Sequence, residues 1–175
     1  MSRMLQLART SLRPRAALPG HGLFDPSVTR MRVLPTDLDI YRHVNNGTYL
    51  QMMDVARTNY LADLGAFDQL RSRGWYPVVA ASTMTYRRSL TLGQRFTITS
   101  RLLGWDPRVV YLEQTFTHGE TFIARGTVAG RFLGRGGERV SSPDVVDLLG
   151  DHPVSPDLPP EVLAWAQAVG VAHRG

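Results

Sequence analysis

The sequence predicts an α+β domain in which a curved antiparallel sheet wraps one long central helix. The segment from Gly47 to Leu64 places apolar side chains at helical spacing on several sides of the helix. Four strand-like segments rich in Val, Ile, Thr, Phe and Tyr follow it, with short turns between them. Short turns make consecutive strands antiparallel neighbours. A curved sheet can enclose such a helix, whereas a flat sheet covers only one of its sides.

Each element has its own local signal. A first strand is predicted over Val28 to Leu34, where apolar and polar residues alternate. Asn45 or Asn46 is the expected N-cap of the central helix, and Gly65 is its expected end. A short turn is expected up to Gly74. The four later strands are predicted within residues 75–90, 94–105, 108–118 and 120–133.

The chain divides into three segments. Residues 1–24 carry four arginines and no acidic residue, and we expect a flexible basic tail there. Residues 25–150 are predicted to form the single domain, because a chain of 175 residues is long enough for one core. Residues 151–175 are predicted to form a Pro-rich linker and a short C-terminal helix, and another short helix is expected between Ser142 and Gly150.

Composition excludes several classes of function. The chain has no cysteine, so a disulfide framework, cysteine-bound zinc and a thiol nucleophile are excluded. All 20 basic residues are arginine, which excludes a Schiff-base lysine and a P-loop lysine. Residues 25–175 contain 16 arginines and 15 acidic residues and are therefore nearly neutral, so no basic surface for nucleic-acid binding is expected. No apolar run is long enough for a membrane span.

The composition also bears on the compartment. The lack of cysteine fits a reducing environment, and a cytoplasmic location is the preferred interpretation. The basic, acid-free tail also fits a mitochondrial transit peptide, which is the alternative. We prefer the cytoplasmic interpretation. In a protein whose basic residues are all arginine, any basic tail is rich in arginine, so this feature does not by itself indicate a transit peptide.

A polar cluster, TDLDIYRHVNNGTY, comes immediately before the predicted helix. It contains Asp37, Asp39, His43, Asn45 and Asn46. Turn and cap roles explain an aspartate and one or two asparagines, but they do not explain the whole set. Calcium is rejected because the glycine and terminal glutamate of an EF-hand are missing. Zinc is rejected because no further ligands lie at the required spacing. No metal and no other cofactor is expected.

A carboxylate placed just before a helix suits acyl transfer. The first N–H groups of a helix have no intrahelical partner and carry partial positive charge. Such donors can polarise a carbonyl group and stabilise an oxyanion. The carboxylate can then attack the carbonyl or activate a water molecule against it.

The segment TDLDIYRHVNNGTYLQMMDVAR resembles the signature of hotdog-fold thioesterases of the 4-hydroxybenzoyl-CoA thioesterase type. That signature has the approximate form D-x-D-x-x-x-H-V-N-N-x-x-Y, and the resemblance extends over about residues 28–135. It is especially similar to the thioesterase superfamily member six group. In the hotdog fold a curved antiparallel sheet wraps one long central helix, which is also the architecture that the periodicity predicts.

The resemblance implies roles for individual residues. Asp39 takes the position of the catalytic aspartate, and the backbone N–H of Asn46 takes the position of the oxyanion donor. His43, which belongs to the HVNN element, is the third residue expected to be catalytic. Plant acyl-ACP relatives have an asparagine where this chain has Tyr41, so their Asp-Asn-His mechanism is not expected. Substrate binding is expected from Asn45, Tyr49, Asp54, Arg87 and Arg88. Adjacent strand residues face opposite sides of a sheet, so only one of the two arginines is expected to meet CoA phosphates.

The resemblance implies hydrolysis of acyl-CoA, or of a related acyl thioester, to a free acid and a thiol. The alternative is a hotdog protein that binds acyl-CoA or acts as a scaffold without turnover. A hydratase or dehydratase is rejected because the D-x-N-P-x-H and H-x-x-x-G patterns do not occur around His43. Hotdog sites lie in clefts between subunits, so a homodimer or a dimer of dimers is expected.

Overall fold

The computed structural model describes residues 2–150 and 154–173. The helices are α1 (Arg3–Leu12), α2 (Asn46–Asp63), α3 (Ala66–Arg73), α4 (Ser142–Leu149) and α5 (Pro160–Ala168). The strands are β1 (Ser27–Arg32), β2 (Tyr76–Tyr86), β3 (Arg95–Trp105), β4 (Val110–His118), β5 (Thr121–Leu133) and β6 (Arg139–Val140). The predicted strands and the central helix are confirmed to within a few residues at each end. Residues 151–153 and 174–175 of the predicted C-terminal segment lie outside the described residues.

The strands form one antiparallel sheet in the order β1-β3-β4-β5-β2, with β6 paired to β5. Strands β1 and β2 are therefore its edges. The register shifts between Val79 and Ala81 in β2 and between Leu102 and Gly104 in β3. Such bulges bend a strand and increase its twist, which helps the sheet to curve round α2.

Helix α2 is covered round most of its circumference. Met52, Met53, Val55 and Ala56 are each at most 1% exposed. Residues at neighbouring helical positions point in different directions, so burial of all four requires cover on more than one side. The sheet supplies most of that cover, and Gly126 of β5 lies directly under the helix. A β-carbon at this glycine would overlap Cε of Met53.

The N-terminal segment is not the flexible tail that we expected. Residues Arg3–Leu12 form α1, which packs along α2. The buried Arg3 donates to both carboxylate oxygens of Asp37, through Nε at 2.9 Å and through Nη2 at 2.6 Å. Arg15 forms a second bidentate ion pair, with the buried Asp63 at the end of α2. The prediction was wrong because the partners lie 34 and 48 residues away along the chain.

Three short helices, α3, α4 and α5, complete the described part of the domain, and α4 is the helix that was predicted between Ser142 and Gly150. Helix α3 occupies the segment where only a turn was predicted, between Gly65 at φ 64° and Gly74 at φ 71°. Ala66 and Leu70, one helical turn apart, are its buried residues. The predicted C-terminal helix is present as α5, which packs with Val109, Tyr111 and Ala129 on the face of the sheet away from α2. Among the described residues, no helix combines the length and apolarity needed to cross a bilayer.

The Arg3–Asp37 pair yields a stability prediction. Replacing Arg3 with Met leaves the carboxylate of Asp37 buried without a counter-charge, which costs about 3–5 kcal/mol of the free energy of unfolding. Arg9→Met is the matched control, since Arg9 is an exposed arginine of the same helix, and we expect a change within about 0.5 kcal/mol. Urea unfolding of the two variants measures the difference. Equal stability of both would show that α1 does not dock in solution.

Candidate functional site at the start of α2

The polar cluster folds into a tight hairpin between β1 and α2. An isolated bridge joins Leu38 to Val44, and Arg42 in the turn between them has a φ of 64°. The N–H of Val44 donates to the carbonyl of Leu90 at 2.9 Å, which ties the hairpin to the segment after β2. The main chain that leads into α2 is therefore fixed at the end of the sheet.

Asp39 closes this hairpin. Its Oδ1 accepts hydrogen bonds from the N–H of Tyr41 at 2.8 Å and from the N–H of His43 at 3.3 Å. The backbone N–H of Asp39 donates to the carbonyl of His43 at 2.8 Å. No group in the described part of the chain donates to Oδ2. Oδ1 thus fixes the half-buried side chain in the turn, and Oδ2 can accept a hydrogen bond from a substrate or a water molecule.

Helix α2 begins with a side-chain cap and a free donor. Oδ1 of Asn45 accepts from the N–H of Gly47 at 2.8 Å, which confirms Asn45 as the N-cap. The carbonyl of Asn45 accepts from the N–H of Thr48 at 2.9 Å. The N–H of Asn46, the first residue of α2, has no hydrogen-bond partner among residues 2–150 and 154–173. It is therefore a donor at the positive end of the helix.

Aromatic side chains pack beneath this helix start. The buried Tyr49 makes edge-to-face contacts with Tyr86 and Phe116, at 5.2 and 5.1 Å between ring centroids. The hydroxyl of Tyr86 donates to the carbonyl of Asn46 at 3.2 Å. Burial raises the pKa of Tyr49 and also that of Tyr86. Both phenols are therefore neutral at pH 7, and Tyr49 supports the helix start by packing.

Asp37 has a different task from Asp39. It is 1% exposed, and besides Arg3 its carboxylate accepts from the N–H of Leu34 at 2.7 Å. Its carbonyl accepts from the N–H of Asn45 at 2.8 Å. Asp37 thus anchors the loop, whereas His43, Asn45 and Asn46 are exposed beside Asp39.

Arg87 and Arg88 lie just beyond the end of β2. Their N–H groups both donate to the carbonyl of Ile123, at 2.9 and 3.1 Å, and both side chains are exposed. The alternation of strand faces does not separate them, because neither residue is within the strand.

A cavity of about 370 Å³ lies farther along α2, between the helix and the sheet. This volume is in the usual range for small-molecule pockets. Its walls are mostly apolar and include Leu61, Leu64, Leu102, Leu112, Val128 and Phe132. Leu7 and Ser11 of α1 also line it, and so do Pro77, Val78 and Val79 of the edge strand β2.

Asp54 and Arg57 are the charged residues of this cavity wall, and they form an ion pair. Arg57 also donates to Oε1 of the buried Gln114 at 2.8 Å. Gln114 in turn donates to the carbonyl of Met53 at 3.1 Å and to Oγ of Ser100 at 2.9 Å. Burial lowers the pKa of Arg57, and the charge of Asp54 opposes that shift. Sequence reasoning missed this network, and the three-residue spacing of the ion pair was its one signal.

Apart from Tyr49, Arg87 and Arg88, the predicted site residues occupy two places. The hairpin brings Asp39, His43, Asn45 and Asn46 together at the start of α2. Asp54 follows Asn46 by eight residues, which is about 12 Å along the helix axis. Within one chain the two candidate carboxylates belong to separate features, a helix start and a cavity wall.

Comparison with known proteins identifies the family. Residues 33–166 match the model of the thioesterase-like superfamily. The chain belongs to this superfamily. Protein THEM6 of Xenopus laevis is 38% identical to this thioesterase-like protein over 135 residues, which are 76% of this chain and 63% of that relative. Long-chain acyl-CoA thioesterase FadM of Escherichia coli (strain K12) is 33% identical over 89 residues, which are 51% of this chain and 67% of FadM.

A solved structure confirms the fold. The crystal structure of YbaW, a probable thioesterase from Escherichia coli, has a TM-score of 0.65 to this thioesterase-like protein at 23% identity. The superposition covers 70% of this chain and 98% of that one. The predicted hotdog fold is thereby confirmed, and the match of residues 33–166 confirms the predicted family. The matched region is less than two thirds of the length of the Xenopus relative.

Proposed function

We propose that this protein hydrolyses acyl-CoA, or a related acyl thioester, to a free acid and a thiol. The observation that carries the proposal is that the carboxylate of Asp39 and the N–H of Asn46, which has no partner among the described residues, both lie at the start of α2. The name of the relative FadM, a long-chain acyl-CoA thioesterase, supports the substrate class.

The two groups have complementary tasks in this reaction. The N–H of Asn46 donates to the carbonyl oxygen of the thioester and stabilises the negative charge that develops there. In one route the Asp39 carboxylate attacks the carbonyl carbon, the C–S bond breaks, the thiolate leaves and takes up a proton, and water hydrolyses the resulting anhydride. In the other route Asp39 takes a proton from the water molecule that attacks the carbonyl carbon, the C–S bond breaks, and the thiolate leaves and takes up a proton.

The apolar cavity is the proposed place of the acyl chain. Its walls and its volume of about 370 Å³ suit a hydrocarbon chain, because apolar groups gain free energy on leaving water. Asp54 is the second candidate for the catalytic carboxylate, because it lines this cavity and Asp39 does not. In a dimer, the Asp39 of one chain can lie next to the cavity of the other, so both features can belong to one site.

The dimer is proposed from the exposed edge of the sheet. Strand β2 is an 11-residue edge, and Tyr76, Val79 and Tyr86 in it are 43%, 49% and 38% exposed. Long apolar edges pair with other strands. Two β2 strands paired antiparallel about a twofold axis near Ala81 place the Tyr86 end of one chain beside the Tyr76 end of the other. The helix start of one chain then lies next to the cavity residues of its partner.

Light scattering tests the dimer. We expect a mass of twice the 19.5 kDa of the chain at micromolar concentration, or a multiple of that dimer. A monomer at every accessible concentration would contradict the composite site, because one chain keeps Asp39 and the cavity apart.

Asp39→Asn tests the catalytic carboxylate. The substitution keeps the shape and the hydrogen bonds of the turn but removes the charge and the basicity. Loss of one acid–base group lowers turnover about a hundred- to ten-thousand-fold. Thiol release from a panel of short, long and aromatic acyl-CoAs measures it.

Asp54→Asn is the matched control for Asp39→Asn, and we expect it to retain most of the turnover. The opposite ranking would move the chemistry to the cavity wall. Acyl-CoA binding by the wild type without thiol release from any member of the panel would instead support the alternative of a non-catalytic binding protein.

Asn46→Pro tests the oxyanion donor. Proline has no N–H, yet it is well tolerated at the first position of a helix. Asn45, with φ −59° and ψ 137°, already has a conformation suited to the residue before a proline. We expect turnover to fall about a hundred- to a thousand-fold with the fold intact.

Asn46→Ala is the control for the proline variant, because it removes the side chain and retains the N–H. We expect near-normal turnover from it. Loss of turnover in the alanine variant would assign the role to the side chain, and full activity of the proline variant would remove Asn46 from the mechanism.

A further inference from the structure

Three guanidinium groups converge on a small pocket away from the helix start. Arg108 lies between β3 and β4, Arg131 lies near the end of β5, and Arg139 lies in β6. All three line a pocket of about 180 Å³, together with Ser141, the N-cap of α4. We call Arg108, Arg131 and Arg139 the arginine cluster.

The cluster has no carboxylate partner in the described chain. None of its three members is in an ion pair there, and the buried Nε of Arg131 has no hydrogen-bond partner. Arg108 makes one long contact, from Nη1 to the carbonyl of Ala172 at 3.4 Å. Burial lowers the pKa of Arg131, and the charges of Arg108 and Arg139 lower it further. Like charges this close cost free energy unless an anion lies between them.

Asp106 carries a negative charge that acts on the cluster, but its oxygens are already occupied. Oδ1 accepts from the N–H groups of Arg108 and Val109, at 2.7 and 3.0 Å. Oδ2 accepts from the hydroxyl of Tyr111 at 2.7 Å and from the N–H of His173 at 3.2 Å. Asp106 therefore offsets one of the three positive charges and leaves the pocket open.

We propose that the arginine cluster binds a phosphate group. Guanidinium groups donate paired hydrogen bonds that match phosphate oxygens, and Arg131 has an unused donor for one of them. The charges agree, because three arginines and one aspartate leave two positive charges and a phosphate ester carries about −1.5 to −2 at pH 7. The pocket is several times the volume of one water molecule, roughly 30 Å³, so it has room for the group.

The phosphate has two possible sources, a free phosphate ion or the phosphates of a CoA thioester, and the second rests on the proposed function. Arg131 pairs in register with Val78, near the Tyr76 end of β2. Ile123 of β5 lies near the helix start, because its carbonyl binds the N–H groups of Arg87 and Arg88. Arg131 lies eight residues farther along the same strand, which is about 26 Å. Within one chain the cluster is therefore far from the helix start. In the proposed dimer a CoA phosphate would come from the partner's helix start and pass round the end of the sheet, because Arg131 shares the face of Ala129, away from α2.

Calorimetric titration with inorganic phosphate and with CoA, at an ionic strength held constant with sodium chloride, tests the proposal. We expect the wild type to bind at least one of the two probes. Arg131→Gln and Arg139→Gln should each weaken that binding about tenfold or more. Arg101→Gln, which changes an exposed arginine of β3 outside the pocket, is the control and should bind like the wild type. Absence of binding of both probes, or equal affinities in all variants, would overturn the proposal.

Steady-state kinetics separates the two sources. With a CoA phosphate in the pocket, Arg131→Gln raises the KM for acyl-CoA and leaves the KM for the phosphate-free acyl-pantetheine unchanged. With a free phosphate ion there, neither KM changes, while the calorimetric loss remains. A wild type without turnover would contradict the proposed function and leave the calorimetric result standing.

Discussion

The need to cover helix α2 governs the rest of this structure. The helix is apolar round most of its circumference, so the sheet alone cannot shield it. Gly126 lets the sheet approach closely enough to contact Met53, and α1 covers another side. Farther along α2 the sheet and α1 stand off from the helix, and the apolar cavity lies between them, with Asp54 and Arg57 in its wall. The ligand-sized space is thus the gap that the two covering elements leave over this part of the helix.

One buried residue connects this cover to the helix start. The carboxylate of Asp37 holds Arg3 of α1, and its carbonyl accepts from the N–H of Asn45. The residue whose carboxylate docks α1 therefore also positions, through its carbonyl, the cap of α2 and, one residue later, the N–H of Asn46, which has no partner in the described chain. A donor held in this way needs no reorganisation when charge develops on a bound carbonyl, which is the condition for effective oxyanion stabilisation. Asp37 thus contributes both to the anchoring of the N-terminal segment, together with the Arg15–Asp63 pair, and to the geometry of the site.

Local patterns predicted the elements whose causes are local. Helical spacing identified α2, and the two asparagines before it identified its cap as Asn45 or Asn46. The sequence did not predict α1 docking, because an ion pair between residues 34 positions apart leaves no periodic trace. The hydrogen-bond network of Arg57, Gln114 and Ser100 was not predicted for the same reason, because it joins a helix to two strands that are distant in sequence. The cavity is lined by residues of many helices and strands, so no local sequence pattern predicts it.

The central claim is that the thioester carbonyl meets the start of α2. A crystal structure with an acyl-CoA analogue in which a methylene group replaces the thioester sulfur tests it most directly, because the carbonyl is retained and cannot be hydrolysed. We predict the carbonyl oxygen within about 3 Å of the backbone nitrogen of Asn46, with the carbonyl carbon facing Asp39 and the acyl chain in the apolar cavity of the partner. A carbonyl bound beside Asp54, with the start of α2 unoccupied, would contradict the account.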